Sequence, residues 1–175
     1  MPRSEADRVH EVYAASYRRL VGQLTGVTGD PVEAEDAVME AFARAVGSRR
    51  SFLAADNPEA WLRTVAVNVT RTRWRRHRFF RDVSHRLVAA EAYADLQDDR
   101  IALLAALRQL PAAQREAIAL HHLADLPVHE VAETVGAPVG TVKARLSRGR
   151  AALAQLLAES DVAPESDAST ERSAR

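Results

Sequence analysis

Four basic side chains fall within eight residues near the end of the chain, with no acidic residue among them: Lys143, Arg145, Arg148 and Arg150. Lys and Arg bind phosphate groups and read base edges in the DNA major groove. The chemistry that this segment favours is therefore DNA binding.

Two short helical patterns separated by Gly136 would position these basic residues. The first pattern consists of Val128, Val131, Ala132 and Val135, and the second of Val139, Val142 and Leu146. A helix-turn-helix places its second helix in the major groove, where positive charge is needed. Thr141, near the start of that helix, is either a capping residue or a phosphate ligand. The alternative is two core helices with solvated basic positions.

A second basic segment lies in the first half of the chain. A helix is predicted from about Glu59 to Arg78, and between Ala60 and Arg81 there are seven Arg residues and no acid. Its apolar side is predicted to hold Trp61, Leu62, Val65, Ala66 and Val69, and its opposite stripe Thr64, Val67, Asn68, Arg71, Arg75 and Arg78. Arg binds phosphates and Trp stacks on unpaired bases, so this helix suits DNA that is being opened. For Trp74, core packing and DNA contact both remain open.

The helix before it, from about Pro31 to Val46, is acidic on one side. Five acids and no base lie between Asp30 and Glu40. Because DNA would repel this charge, the face suggests a protein partner, although it is also compatible with simple solvation.

Composition excludes several classes of protein. The 175 residues include no Cys, which removes disulfides, zinc-thiolate sites and thiol catalysis. No apolar run approaches a membrane span and the start lacks a signal peptide, so an intracellular protein without membrane insertion is expected. The adjacent His121 and His122 lack a ligand cluster, and no His is paired with a plausible nucleophile. No metal, cofactor or enzymatic activity is predicted.

The net charge of zero conceals a segmental pattern that divides the chain. Residues 1–78 carry 13 basic and 10 acidic residues, 79–100 carry 3 and 5, 101–158 carry 6 and 4, and 159–175 carry 2 and 5. The prediction is an all-α fold with two small helical domains, at 1–78 and 101–158. Residues 79–100 are predicted to be a linker and 159–175 a disordered tail.

Together these segments resemble the extracytoplasmic-function group of bacterial sigma factors, over about residues 8–157. Four motifs carry the resemblance in the order of the family: TGDPVEAEDAVMEAF, AWLRTVAVNVTRTRWRRHR, LRQLPAAQREAIALHHLADL and HEVAETVGAPVGTVKARLSRGRAAL. The resemblance implies an N-terminal domain that binds the clamp of the largest polymerase subunit and reads the minus-ten element. It implies a C-terminal domain that reads the minus-thirty-five element beside the beta-subunit flap.

The resemblance also implies roles for individual residues. Core polymerase would contact Asp36, Met39, Glu40 and Phe42. The minus-ten element would contact Asn68, Arg71, Arg75 and Arg76, with Trp74 beside them. The minus-thirty-five element would contact Thr141, Lys143, Ala144, Arg145, Ser147, Arg148 and His121. Three residues depart from the family pattern: Met39 replaces Gln, Ala144 replaces Ser and His121 replaces Arg.

Two further expectations follow. Core polymerase and promoter DNA are the expected partners; the family often has an anti-sigma factor that covers these surfaces, but the sequence does not decide whether this chain has one. The alternative function is a stand-alone helix-turn-helix regulator whose first half is a sensor or dimerisation domain. An acid-free Arg and Trp helix is not needed in such a domain, which favours the sigma-factor interpretation.

Overall fold

The structure, a computed structural model, describes residues 4–77 and 98–162, which are almost entirely helical and contain no strand. The first half holds α1 (Glu5–Thr28), α2 (Pro31–Gly47), α3 (Arg49–Leu53) and α4 (Pro58–His77). The second half holds α5 (Asp98–Gln109), α6 (Ala112–Ile118), a π-helical turn (Ala119–Leu123), α7 (Val128–Val135) and α8 (Val139–Val162). The all-α prediction is confirmed.

Local sequence fixes the junction between α1 and α2. Gly29 adopts a left-handed φ of 76° and its N–H donates to the Thr25 carbonyl, which ends α1. Asp30 then accepts hydrogen bonds from the backbone of Val32 and Glu33, and Pro31 occupies the first turn of α2. This start of α2 is the one that the sequence predicted.

The core of the first half lies between α1, α2 and α4. Its largest fully buried side chains are Leu20, Leu24, Val38, Phe52, Leu62 and Val67. Trp61 packs edge-on against Phe52, with ring centroids 5.3 Å apart, so its predicted core role is confirmed. The short α3 supplies Phe52, which is fully buried in this core.

The second half builds the predicted helix-turn-helix from α7 and α8. Gly136 adopts a left-handed φ of 61° at the end of α7, and the Ala137 N–H donates to the Ala132 carbonyl. Val131 and Val142 are fully buried between the two helices. The preceding π-helical turn, Ala119–Leu123, was not predicted.

The close packing of α8 on α6 depends on Gly149. A Cβ atom at this position would lie 2.9 Å from Ile118 Cγ1, and Ile118 is itself buried. We expect Gly149→Ala to lower the free energy of unfolding by about 1–2 kcal/mol, because overpacking outweighs the gain in helix propensity. Gly140→Ala on the same helix is the matched control, since no atom lies within 4 Å of its added methyl. Equal urea midpoints for the two variants would contradict this role of Gly149.

The two halves pack against each other within the described residues and share one apolar core. Gly26 of α1 is buried against the π-helical turn, where an added Cβ would lie 3.1 Å from Ala119 Cβ and would overlap the side chain of Leu123. The predicted separation into two bodies did not anticipate this contact.

The predicted linker and tail are covered only at their edges. Helix α5 already begins at Asp98, and α8 continues to Val162. The rest of both segments, residues 79–97 and 163–175, lies outside the described residues. No helix in the described ranges is long and apolar enough to cross a membrane.

Candidate nucleic-acid interface

A charged network fixes the start of α4 on α1. Asn57 caps the helix by accepting from the Ala60 N–H at 3.0 Å. Glu59 accepts from Arg19 Nε at 2.9 Å and from Arg63 Nη2 at 3.2 Å. Arg63 is 7% exposed and also donates to Gln23 Oε1 at 3.0 Å. Because α4 is anchored at its start, its later turns are held in a fixed orientation.

This network makes a testable contribution to stability. Hydrogen bonds from Arg19, opposed by partial burial, lower the pKa of the Glu59 carboxyl below its ordinary value of 4.5. We expect Glu59→Gln to reduce the free energy of unfolding at pH 7 by about 1–2 kcal/mol, because the buried Arg63 loses its charged partner. The ionised carboxylate is stabilised in the folded state, so the difference from wild type should shrink as pH falls below the ordinary Glu pKa.

The control is Glu40→Gln, which breaks an exposed pair with Arg44 within α2. This change should alter the free energy of unfolding by no more than about 0.5 kcal/mol. Urea unfolding between pH 3 and pH 7 measures both variants. A pH-independent difference for Glu59→Gln would show that the carboxylate charge is not the source of the stabilisation.

The predicted minus-ten residues, on the middle and end of α4, differ in their exposure. The exposed residues are Asn68, Arg75 and Arg76, and the half-buried ones are Arg71 and Trp74. Asn68 thus lies on the solvent-exposed side of the helix. The Thr72 hydroxyl donates to the Asn68 backbone carbonyl at 2.8 Å, a bond local to the helix. The Asn68 side chain is therefore accessible to a base.

The predicted exposed stripe of α4 was partly wrong. Val67 is fully buried, and Thr70, which lines a cleft together with residues of the second half, is 5% exposed. Arg71 on the same side donates from Nη1 to the Val135 carbonyl at 2.6 Å and pairs through Nε with Glu116 Oε1 at 2.9 Å. Arg71 thus contacts protein at the position where the resemblance implies DNA.

Helix α8 exposes most of the predicted minus-thirty-five residues on one surface. Thr141, Lys143, Ser147 and Arg148 are exposed, Ala144 is half-buried, and Val142, Leu146 and Gly149 form the buried side. Arg148 Nε donates to the Ala144 carbonyl at 3.3 Å, which leaves its terminal nitrogens on the surface. The exposed surface of α8 therefore carries two basic side chains, Lys143 and Arg148, on a helix, the element that a major groove admits.

Arg145 is placed differently from its neighbours on α8. It is half-buried, and its Nη1 atom is buried with no hydrogen-bond partner among the described residues. The Nη1 atom of Arg145 could therefore contact phosphate only if the side chain left this position.

The two adjacent histidines lie at the end of the π-helical turn. His121 is half-buried and its Nδ1 lies 2.7 Å from the Leu126 carbonyl, so this nitrogen holds the turn before α7. Arg150 donates to His122 Nε2 at 3.1 Å. Burial, together with the nearby His121 and Arg150, lowers the pKa of His122. His122 therefore adds little positive charge to this surface at neutral pH.

The predicted polymerase-binding face on α2 combines acids with apolar residues. Asp36 and Glu40 are exposed, and Met39 is 48% exposed. Val32 and Val46, each seven residues from Met39, are 46% and 45% exposed and lie on the same stripe. These two valines were not predicted to belong to this face, although their seven-residue spacing from Met39 is present in the sequence.

Phe42 does not belong to that exposed face. It is 5% exposed and packs edge-on against Tyr13, with ring centroids 5.0 Å apart. Its effect on a partner would be indirect, through the position of α2. Tyr17 beside it donates to Glu35 Oε1 at 2.7 Å, and burial together with this hydrogen bond raises the pKa of Tyr17 to about 12.

Comparison with known proteins places these surfaces in a family. The model for sigma-70 region 2 matches residues 12–80, and the model for sigma-70 region 4 matches residues 100–153. The RNA polymerase sigma-E factor of Streptomyces antibioticus is 30% identical over 165 residues, which cover 93% of this chain and 91% of that protein. The chain belongs to the extracytoplasmic-function group of the sigma-70 family.

Two further similarities support the same assignment. The sigma factor EcfG of Rhodopseudomonas palustris is 33% identical over 160 residues, 86% of each chain. The sigma factor RpoE of Bartonella quintana, solved in complex with the anti-sigma factor NepR, is 28% identical with a TM-score of 0.66, covering 89% of this chain and 98% of that one. The region 2 match contains the α2 face and all of α4, and the region 4 match contains the start and middle of α8. The protein is therefore an alternative sigma factor.

Proposed function

We propose that this sigma factor divides promoter recognition between two separate helices. The exposed surface of α8, with Lys143, Ser147 and Arg148, anchors duplex DNA at the minus-thirty-five element. Asn68 on α4 receives an unpaired base of the minus-ten element, with Arg75 and Arg76 toward the strand backbone. The observation that carries the proposal is that both sets of side chains are exposed on regular helices that are fixed by buried cores.

Core polymerase has its own surface in this proposal. The α2 stripe of Val32, Met39 and Val46 lies beside the acidic residues Asp36 and Glu40, which gives an apolar strip with an acidic border. Such a surface suits the clamp of the largest polymerase subunit, because exposed apolar side chains supply affinity and acids prevent DNA from competing. The second half would lie beside the beta-subunit flap.

The proposal also states whether the protein catalyses a step, where it acts and which further partner it has. The protein contributes recognition and no catalytic step of its own, and it acts in the cytoplasm together with core polymerase on the chromosome. Because the Bartonella relative was solved with an anti-sigma factor, we include such a partner for this chain.

The decisive test is transcription from a matched promoter with core polymerase present and absent. Neither basic surface is large, so the protein alone should bind promoter DNA weakly, while core polymerase joins both surfaces into one bivalent reader. Footprinting by the protein alone at nanomolar concentration, without capture of core polymerase, would instead indicate a stand-alone helix-turn-helix regulator.

A further inference from the structure

Lys143 is the only lysine in the sequence. The chain has 24 Lys and Arg residues, and all the others are Arg. Both residue types bind phosphate, but only the Lys amine can lose its proton and act as a nucleophile, since the guanidinium of Arg stays protonated in proteins. Acylation of the amine removes its positive charge. Lys143 is therefore the one Lys or Arg side chain whose charge acylation can remove.

The Lys143 amine is accessible. Lys143 is exposed on the second turn of α8, and its Nζ has no hydrogen-bond or ion-pair partner among the described residues. A long side chain on a helix covers the turn that precedes it. This turn holds Val139, which is 41% exposed, and Gly140, where an added Cβ would have no atom within 4 Å. An acyl donor can thus approach the amine without displacing a contact between described residues.

No carboxylate on α8 stabilises the Lys143 ammonium. The first acid of this helix is Glu159, sixteen residues further along. Arg44 on α2 differs in this respect, because its Nε pairs with Glu40 Oε1 at 2.9 Å. A carboxylate partner favours the charged form of an amine, whereas only the neutral form is a nucleophile. An amine at position 143 should therefore be acylated faster than an amine at position 44.

The charge of Lys143 contributes much of the positive potential of the α8 surface. Residues 143–150 carry four basic side chains and no acid, so acylation lowers their formal charge from +4 to +3. Two of the other three cations are partly engaged by protein. Arg145 has a buried Nη1, and Arg150 donates from Nε to His122 at 3.1 Å. Loss of the Lys143 charge should therefore weaken the attraction of this surface for phosphate.

From these observations we propose that Lys143 is a regulatory acylation site, at which an acyl thioester such as acetyl-CoA converts the ammonium into a neutral amide and weakens binding of the minus-thirty-five element. The ammonium first releases a proton to solvent. The Nζ lone pair then attacks the thioester carbonyl carbon, a C–N bond forms and the C–S bond breaks. The departing thiolate takes up the proton that the nitrogen loses, which gives an N-acyl lysine and a free thiol. The inference rests on the proposed function of α8, but the reactivity of the amine does not.

The reactivity of the amine is measured on the full-length protein. The wild type and the double variant Arg44→Lys, Lys143→Arg each contain one lysine, at an exposed position in both cases. Both proteins are incubated with acetyl-CoA at mildly alkaline pH, and mass spectrometry follows the acetylated fraction of that lysine. We expect acetylation at position 143 to be at least about twofold faster, because an exposed Glu and Lys pair at this spacing stabilises the ammonium at position 44. Equal or slower acetylation at position 143 would overturn the site.

The effect on promoter binding is measured on the acetylated protein assembled with core polymerase. Its promoter binding should be about fivefold weaker than that of untreated protein at about 0.15 M salt, and the slope of log K against log salt should fall by roughly 0.9, as for one lost phosphate contact. Lys143→Arg, measured before and after the same treatment, is the matched control, because its guanidinium is not acylated. Unchanged affinity and slope after acetylation of Lys143 would contradict a regulatory role.

The modification is then sought in cells that produce the protein. The sigma factor is isolated in two pools, one bound with polymerase to DNA and one free of DNA, and mass spectrometry measures the acylated fraction of Lys143 in each. We expect the acylated fraction to be about fivefold lower in the DNA-bound pool, in line with the weaker binding. Equal fractions in the two pools, or no acylated Lys143 in either, would show that Lys143 is not a regulatory site.

Failure of this inference is distinguishable from failure of the proposed function. If Arg148→Ala weakens promoter binding by the holoenzyme and acetylation of Lys143 does not, α8 still binds the promoter and only the acylation site is overturned. If neither change affects promoter binding, the proposed function of α8 is overturned as well.

Discussion

Replacement of Asn68 by Ala should reduce open-complex formation by about 5- to 150-fold, the effect of losing one good base contact worth roughly 1–3 kcal/mol. Asn68 is exposed and makes its helical bonds only through its backbone. The substitution removes a carboxamide without opening a cavity, so the free energy of unfolding should change by less than about 0.5 kcal/mol. Core binding should be retained, because the α2 face is unaltered.

The matched control for Asn68 is Thr72→Ala. Thr72 is exposed one turn later on α4, and its hydroxyl is already occupied by the Asn68 carbonyl at 2.8 Å. Permanganate footprinting of the melted region, at a saturating concentration of core polymerase, measures both variants. Melting by Asn68→Ala at the wild-type level would remove this residue from the minus-ten site, whereas an equal defect in Thr72→Ala would indicate a general disturbance of α4.

Local signals predicted the elements that carry these surfaces. Asp30 and Pro31 begin α2, and Gly136 turns the chain between α7 and α8, because capping and left-handed backbone are decided by one or two residues. The burial of Val131 and Val142 could also be predicted from the spacing of apolar residues, since one face of each helix must be apolar. These features need no knowledge of distant parts of the chain.

The contacts between the halves could not be predicted in this way. Arg71 and Glu116 each occur in a mixed polar segment, where a charged residue is normally solvated, and 45 positions separate them along the chain. Val67 was assigned to the exposed stripe because a single valine among polar residues does not reveal which helix covers it. Such burial is a property of the tertiary arrangement, and the local period of α4 carries no information about it.

Met39 was only partly interpretable from the sequence. The resemblance marked it as a departure from the usual Gln, and the structure shows it half-exposed between two exposed valines on α2. In this setting Met replaces a hydrogen-bonding side chain by a flexible apolar one, which suits a continuous apolar stripe. Met at position 39 therefore matches the apolar stripe in which it lies.

Two residues of the α8 surface should contribute differently to promoter binding, one by reading a base and the other by binding phosphate. Arg148→Ala should weaken binding of the polymerase holoenzyme to its promoter by about 5- to 150-fold if the guanidinium reads a base, and the preference at one base pair of the minus-thirty-five element should relax. Lys143→Ala should weaken binding more uniformly across sequences, with the slope of log K against log salt reduced by roughly 0.9 if Lys143 neutralises one phosphate.

Arg150→Ala is the comparison on the same helix: Arg150 lies seven residues from Lys143, on the same stripe, but its Nε already donates to His122 Nε2 at 3.1 Å, so its loss should reduce the salt slope less than the loss of Lys143. Titrations of holoenzyme on wild-type and singly substituted minus-thirty-five elements, at three salt concentrations, distinguish these contributions. If Arg148→Ala lowers the salt slope without relaxing any base preference, Arg148 binds phosphate. The sequence readout must then come from other residues of this surface, among which Ser147 and Ala144 lie beside Arg148.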